Sequence, residues 1–448
     1  MKLARHHFSP IAAPLAAVAL SLATLSAQPA PPPAVPDTLD LRTAITFALD
    51  NNFAIRQARE RIKQQEGVVI EVSAQAIPNV GADAAYQRNA TEVSQSFPAS
   101  DQAWQINLTA SQVLYAGGGV RSAIKSSKLT REAAVLDLQA VINEALLQVR
   151  TNFYTVLLAR EQIQVQESNL ALLEQQLKTT TDRFNAGTIS SFEKLRSEVA
   201  VANAKVPLIV ARNDYRLAIE SLRLSLGFTT NRPDSVRKVP EFIGSLEFSP
   251  TTYDLQAAFD SAQANRPDLA RLSKLAEAGE ATVSVARSAR YPSVSAFGGY
   301  TLRKGATDSF GDSADGWLVG VQSQWNIFDG RATSGRVTQA RSAVEQLKLA
   351  VSEAQLGAEV EVRRAFSQWQ QAVELAEASR LVVGQATEAV RLADARYGAG
   401  TATQLDVLQA QTELTTARNN QLQAYFGYNV AIASLRKAMG QADEFVTK

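Results

Sequence analysis

The chain has 448 residues and a formal net charge of +1, with 45 Lys and Arg against 44 Asp and Glu, so its charge gives no reason to expect nucleic acid as a partner. It contains no cysteine, and its only histidines are His6 and His7. Both histidines fall within the signal peptide predicted below, so the mature chain would have neither imidazole nor thiol. This excludes Ser-His and Cys-His nucleophile pairs and zinc sites with the usual ligands, and we predict that the chain is not an enzyme and uses no cofactor.

The N-terminus has the pattern of a secretory signal peptide, which we place at residues 1–27. Lys2 and Arg5 precede an apolar run of about 15 residues, and small residues follow it. A membrane-spanning helix needs ~20 apolar residues, so the run is short for one. A proline-rich leader at 28–39 comes next, and we expect it to be extended and poorly ordered.

The rest of the sequence consists of two similar copies. Asp40 recurs as Asp254 and Arg183 recurs as Arg396, which gives an offset of 213–214 residues. Solenoid repeats have periods of ~20–50 residues, so this pattern indicates a duplicated half-molecule. The chain therefore divides into a first repeat at 40–227, a linker at 228–253, a second repeat at 254–440 and a tail at 441–448.

Each repeat opens with a helical stretch, predicted at 40–76 and 254–289, and then changes to an alternation of apolar and polar residues. The alternation is clearest where Trp104, Ile106 and Leu108 are interleaved with polar residues. A two-residue period over ~10 residues, with aromatic side chains near the ends, is typical of a transmembrane β-strand. A half-buried strand of a soluble sheet alternates in the same way; the signal peptide and the strand length favour the membrane.

Two β-hairpins are predicted, at 79–114 and 293–327, with exposed loops at 89–102 and 303–316. Four strands cannot close a barrel, and an open sheet edge in lipid leaves backbone groups without hydrogen-bond partners. The smallest natural barrels have ~8 strands, so a membrane location requires the chain to oligomerise.

A glycine-containing break follows each hairpin, and a long helix with a seven-residue apolar repeat begins after it. The repeat positions are Val135, Ile142, Val149, Val156, Ile163, Leu170, Leu177 and Phe184 in the first copy, and Val362, Trp369, Ala376, Val383, Val390 and Tyr397 in the second. Such a repeat imposes a left-handed supercoil, and ~65 residues span about 100 Å. The heptads alone favour a coiled-coil dimer. Each helix ends at a glycine-containing turn before a returning helix.

From Asp40 to Gly440 the chain resembles the outer-membrane efflux proteins, the TolC-like family. The resemblance rests on the duplication, the Pro-initiated hairpins, the glycine breaks and an Arg-(Phe/Tyr)-x-x-Gly-Thr turn in each repeat. It implies a mostly α-helical homotrimer, in which a twelve-stranded outer-membrane β-barrel continues into an α-helical barrel in the periplasm. It also implies passive passage of exported compounds, with a periplasmic adaptor and an inner-membrane pump as partners in a tripartite efflux or type I secretion system.

The resemblance assigns roles to the turns and to three side chains. The turns that meet the adaptor match residues 185–189 and 398–402, with Asn185, Ala186, Gly187, Thr188, Gly398, Ala399, Gly400 and Thr401 as contact residues. Glu193, Tyr397 and Asp406 match residues of the periplasmic aperture. Ala402 stands where some members have a basic residue, which puts a closing salt bridge of that kind in doubt. A ring of Asp406 side chains is expected to favour cations; without the resemblance, Asp406 reads as a solvated acidic residue on a helix.

The alternative function is a secreted periplasmic coiled-coil adaptor or structural protein without a pore, whose hairpins form a soluble sheet. The two hairpins with aromatic-ended alternation speak against it. The sequence does not reveal the cargo, the pump or the adaptor.

Overall fold

The computed structural model describes residues 37–88, 90, 102–228, 239–305 and 309–446. The predicted signal peptide, nearly all of the proline-rich leader and most of the predicted loop at 89–102 lie outside these residues. Within the part of the chain that is described, no helix combines the length and hydrophobicity needed to cross a membrane.

The two repeats contain the same elements in the same order. The first consists of α1 (Leu41–Asn51), α2 (Phe53–Ala74), β2 (Asn79–Arg88), β3 (Gln102–Ala116), α3 (Gly119–Asn185) and α4 (Ser191–Leu226). The second consists of α5 (Leu255–Asn265), α6 (Pro267–Ser288), β5 (Ser293–Lys304), β6 (Ser313–Gln324), α7 (Ala332–Gly398) and α8 (Gln404–Ala438). Two short strands, β1 (Thr38–Leu39) and β4 (Glu241–Phe242), pair in parallel. The internally duplicated, mostly helical fold is confirmed.

The predicted stretches at 40–76 and 254–289 are helical, but each consists of two helices separated by one residue. Asn52 separates α1 from α2: its side-chain oxygen accepts the backbone N–H groups of Ala54 and Ile55 at 2.9 and 3.2 Å. Its amide donates to the carbonyl of Ser225 at 2.6 Å, which fixes the break against α4. In the second repeat Pro267 is the first residue of α6, where its missing N–H costs nothing.

The two hairpins form one antiparallel sheet in the order β2-β3-β5-β6. Residues paired across antiparallel strands share a face. Ile106 lies opposite Ala84 on β2 and Leu302 on β5, whereas Asn107 lies opposite Asp83 and donates to its carboxylate at 2.7 Å. The register thus gathers the apolar positions of neighbouring strands on one face and the polar positions on the other.

The second hairpin departs from its predicted bounds. β6 begins at Ser313 and ends at Gln324, so the predicted loop at 303–316 is too long and the predicted end at 327 lies outside the strand. Backbone pairing of Ser313 with Lys304 extends the strand, although its polar and glycine residues carry no alternation. Phe297, on the polar face, lies over Gly320, where an added Cβ would fall 2.7 Å from the ring. The first hairpin also continues past 114, because β3 reaches Ala116.

The long helices α3 and α7 have 67 residues each, or about 100 Å. The predicted heptad residues Val149, Val156 and Val362 are fully buried. Val135 is exposed; near it, Asp137 of α3 forms ion pairs with Arg61 of α2 and Arg271 of α6. The helix α8 packs along α3 as well as α7, so the two helical hairpins of one chain are in contact.

The short C-terminal tail, which follows the second repeat, binds to the first repeat through ion pairs. This contact could not be predicted from the sequence. The guanidinium of Arg150 on α3 donates to Asp443 and to Glu444, each at 2.9 Å. The side chains of Arg150 and Asp443 are only 9% and 10% exposed. The ring of Phe445 lies 4.8 Å from the guanidinium carbon of Arg42 and 5.1 Å from that of Arg150.

Candidate functional site: the tip of the helical hairpins

The turns at the far ends of the two helical hairpins have the same geometry. Gly187 and Gly400 adopt left-handed φ angles of 75° and 76°. Thr188 donates two hydrogen bonds to the carbonyl of Arg183, from its backbone N–H at 3.0 Å and from its hydroxyl at 2.9 Å. Thr401 binds the carbonyl of Arg396 in the same way. The Gly-Thr pair ends each long helix because glycine tolerates the backbone angle and threonine satisfies a terminal carbonyl.

The side chains of these turns face solvent. All eight residues predicted to contact an adaptor are exposed, namely Asn185, Ala186, Gly187, Thr188, Gly398, Ala399, Gly400 and Thr401. Their backbone is held by hydrogen bonds of the turns themselves, so the two turns present fixed, accessible surfaces.

Asp406 caps the helix α8. Its carboxylate accepts the backbone N–H of Thr403 at 2.7 Å and the Thr403 hydroxyl at 2.8 Å, and Thr403 accepts the N–H of Asp406 in return. These hydrogen bonds from Thr403, backbone first, lower the pKa of the Asp406 carboxyl. The side chain remains exposed. Asp406 is therefore a capping residue whose charge also faces the solvent at the tip.

Glu193 occupies the corresponding first turn of α4 but is bonded differently. Its backbone N–H donates to Ser190, whose hydroxyl caps the helix at 3.4 Å. Unlike Asp406, its carboxylate accepts no hydrogen bond from the capping residue, so Ser190 and Glu193 form no capping box. The two carboxylates therefore hold different local roles, although both begin a returning helix.

Tyr397 contacts the first hairpin. The Cζ atom of Arg183 lies 4.8 Å from the centroid of the Tyr397 ring. The Tyr397 hydroxyl is buried and has no hydrogen-bond partner, so the ring face carries the contact. The structure thus brings one predicted aperture residue against the other hairpin, through an arginine that the sequence analysis identified only as part of the turn motif.

Behind the turns lies a buried polar cluster that sequence reasoning missed. It consists of Thr180 on α3, Ser197 on α4 and Gln404 on α8, all at most 3% exposed. A comparison of the two repeats offers the missing signal, because alanine stands at the positions equivalent to Thr180 and Ser197. Among the described residues, no group of three His, Cys, Asp or Glu side chains is placed to hold a metal ion.

A family model described as "Outer membrane efflux protein" matches residues 44–228 and 258–441. The pyoverdine export outer membrane protein OpmQ of Pseudomonas putida is 26% identical over 421 residues, covering 90% of this chain and 87% of that protein. The outer membrane protein TolC of Vibrio cholerae is 24% identical, covering 82% of this chain and 83% of that protein. The solved structure of the outer-membrane channel OprN has the same fold, with a TM-score of 0.76 at 21% identity over 90% of each chain.

Proposed function

As a member of the outer membrane efflux protein family, the chain is an exit channel of the outer membrane, and we propose that three copies assemble into one duct from the periplasm to the exterior. The observation that requires partner copies is the sheet, whose described order ends at β2 on one side and β6 on the other; the number three is what membership of the family implies. Edge strands in lipid require partners. Three four-stranded sheets joined edge to edge give a closed barrel of twelve strands, and the register supplies each with an apolar face.

Transport through this duct is passive. The residues after the predicted signal peptide contain neither cysteine nor histidine, which supports a channel without chemistry of its own. The energy for export comes from an inner-membrane pump reached through a periplasmic adaptor. The exposed tip turns at 185–188 and 398–401 are the adaptor's contact surface, because they are accessible and held in fixed geometry.

The aperture is formed by Glu193, Tyr397 and Asp406. Three copies of Asp406 around one axis place like charges near each other, which attracts cations and disfavours anions. Selection by the channel itself is limited to its width and this charge, so the pump chooses the cargo.

The experiment is to fractionate envelopes and reconstitute the extracted protein in planar bilayers. The proposal expects the protein in the outer-membrane fraction as a heat-modifiable oligomer that forms cation-preferring channels. A detergent-free monomer recovered from the aqueous periplasmic extract contradicts it and favours the pore-free adaptor instead.

A further inference from the structure

A groove between α5 and α7 of the second repeat is the counterpart of the site where the C-terminal tail binds the first repeat. We call it the second groove, a cavity of about 480 Å³ whose lining includes Gln256, Phe259, Asp260, Leu356, Glu359 and Arg363. With the offset of 213–214 residues, Gln256 corresponds to Arg42 and Arg363 corresponds to Arg150. Arg42 and Arg150 are the two residues whose guanidinium groups contact Phe445 of the tail.

The same positions are covered in the first repeat and exposed in the second. The Arg150 side chain is 9% exposed, whereas the Arg363 side chain is 60% exposed. Leu146 is buried, and its counterpart Glu359 is exposed. Arg363 donates to Glu359 at 2.9 Å, and its guanidinium carbon lies 5.0 Å from the ring centroid of Phe259. The side chains of the second groove therefore contact one another, while their outer surfaces face solvent.

The linker leaves the first repeat in the same way as the tail leaves the second. Gly227 and Gly440 follow α4 and α8 with left-handed φ angles of 78° and 70°. Each glycine lies against the end of the first helix of its repeat. Because the two exits are equivalent, residues 228–233 of the linker correspond to residues 441–446 of the tail. The duplication thus provides a second segment for a second groove.

The packing of the long helices indicates which copy supplies that segment. Within one chain α8 packs along α3, and the tail that follows α8 binds Arg150 of α3. The counterparts α4 and α7 make no comparable contact among the described residues, and α4 exposes Val206, Ile209 and Val210. A head-to-tail interface that closes into a ring brings α4 of one copy beside α7 of the next.

The second groove is acidic where the corresponding site of the first repeat is basic. Asp260 and Glu359 occupy positions that hold uncharged residues in the first repeat, and Gln256 replaces Arg42. Asp260 accepts a hydrogen bond from the Gln256 amide at 3.1 Å and remains exposed. Carboxylates at these positions disfavour the acidic tail and favour a basic segment.

The linker is basic where the tail is acidic. Residues 229–238 lie outside the described residues and contain three basic side chains and one acidic side chain, for a net charge of +2: Arg232, Arg237, Lys238 and Asp234. Arg232 corresponds to Phe445 of the tail. In the first repeat the tail brings an aromatic ring to arginines; at the second groove the ring belongs to the groove, as Phe259, and the linker brings the arginine.

We propose that the second groove of each copy binds the linker of the neighbouring copy, with Arg232 between Asp260 and the ring of Phe259. This inference rests on the proposed assembly of three copies and specifies a contact that joins them near the middle of the long helices. The ten residues 229–238 reach roughly 15 Å out and back, about as far as the tail extends to Phe445.

The first test joins single-cysteine copies, which the absence of cysteine from the chain permits. A tagged copy with Ser235→Cys and an untagged copy with Gln263→Cys, an exposed position in the second groove, are produced together and treated with a short reducible bifunctional thiol reagent. The expected product is a covalent dimer of one tagged and one untagged copy, which reduction separates. Thr46→Cys is the matched control, because Thr46 is the exposed first-repeat counterpart of Asp260; it is expected to give at least tenfold less of this dimer.

The second test reverses the charges of the pair. Loss of an exposed ion pair with Asp260 is expected to make the oligomer of Arg232→Glu dissociate about fivefold faster on heating. Arg232→Glu combined with Asp260→Arg restores opposite charges, so this double variant is expected to dissociate within about twofold of the wild-type rate. Dissociation is followed at a fixed temperature as the loss of the oligomer band.

Absence of the tagged–untagged dimer, equal linking of the Thr46→Cys control, or dissociation of the double variant at least as fast as that of Arg232→Glu overturns the docking of the linker while the oligomer stands. Failure of the wild-type protein to form an oligomer overturns the proposed function and this inference together.

Discussion

The guanidinium of Arg183 lies over the ring of Tyr397, 4.8 Å from its centroid, and joins the last turns of α3 and α7. Arg183 belongs to the first repeat and Tyr397 to the second, so the contact connects the ends of the two helical hairpins. Arg183 and Tyr397 are half-buried, whereas the Gln404–Ser197 contact is fully buried.

Replacing Tyr397 by leucine is expected to raise the open probability about two- to fivefold, because a half-buried cation–π contact contributes ~0.5–1 kcal/mol. Tyr397→Phe is the matched control: it keeps the ring and removes only a hydroxyl that has no partner. Single-channel recording of both variants checks the prediction. Equal opening of the leucine and phenylalanine variants contradicts a role for the ring face.

We predict that Asp406 has two separable roles: its negative charge sets the cation preference, and its oxygen atoms accept the hydrogen bonds that cap α8. Asp406→Asn and Asp406→Ala should both lower the cation preference, measured as the reversal potential in a salt gradient, because both remove the charge. The alanine variant loses every side-chain acceptor for Thr403, whereas asparagine loses the charge but keeps one oxygen acceptor, so the alanine variant should destabilise the start of α8 more. A wild-type reversal potential in both variants shows that this carboxylate lies outside the conducting path.

The pH dependence follows from the lowered pKa of Asp406. A carboxyl whose pKa is lower in the folded state contributes stability above its unfolded pKa of about 3.9 and loses it as pH falls through the folded pKa. Because Asp406 keeps its negative charge at every pH above this lowered pKa, cation preference should persist at pH 5 and decline only below about pH 4. Reversal potentials recorded across this pH range test whether the pKa of Asp406 is lowered. A decline centred near pH 6 points to a different titrating group.

Breaking the ion pair between Arg150 and Asp443 should destabilise the protein strongly. Asp443→Asn leaves a buried guanidinium without its main counter-charge, and loss of one partner from a buried pair costs about 3–5 kcal/mol. Denaturant unfolding of the detergent-solubilised protein provides the measurement. Glu444→Gln is the control and should cost less, since the Glu444 side chain is 46% exposed. Equal effects of the two variants disagree with a dominant Arg150–Asp443 pair.

Arg331 is predicted to carry backbone strain. It has a φ angle of 71°, whereas the equivalent position of the first repeat holds Gly118 at 78°. A non-glycine residue in this region costs ~1 kcal/mol. Arg331→Gly should therefore stabilise the protein by about that amount. Gly118→Ala should destabilise it by a similar amount, and the cost is backbone strain alone because an added Cβ at Gly118 contacts no neighbouring atom. Unfolding midpoints that shift in the opposite directions contradict this account.

The larger features could be predicted from the sequence because they repeat. The duplication and the heptads anticipated both 67-residue helices, and buried Val149 and Val362 lie on the predicted faces. The extension of β6 to Ser313 could not be predicted, because residues 313–316 are exposed and, unlike the residues from Trp317 onward, show no apolar–polar alternation.

Contacts between residues far apart in the sequence could not be predicted either. Gln404 and Ser197 are 207 residues apart, and a hydroxyl or amide at such a position carries no period that indicates burial. The tail was overlooked for a related reason: Asp443 has the composition of a solvated acid, and only the approach of Arg150 buries it.

The most direct test of the account is to determine which strands meet between copies. Ala84→Cys on β2 and Val319→Cys on β6, in the otherwise cysteine-free chain, are joined in outer membranes with a bifunctional thiol reagent and separated under denaturing conditions. The account predicts a ladder of covalent dimers and trimers that stops at three copies. Monomers alone, or a ladder that continues beyond three, contradicts a barrel sealed by β2 and β6 of three chains.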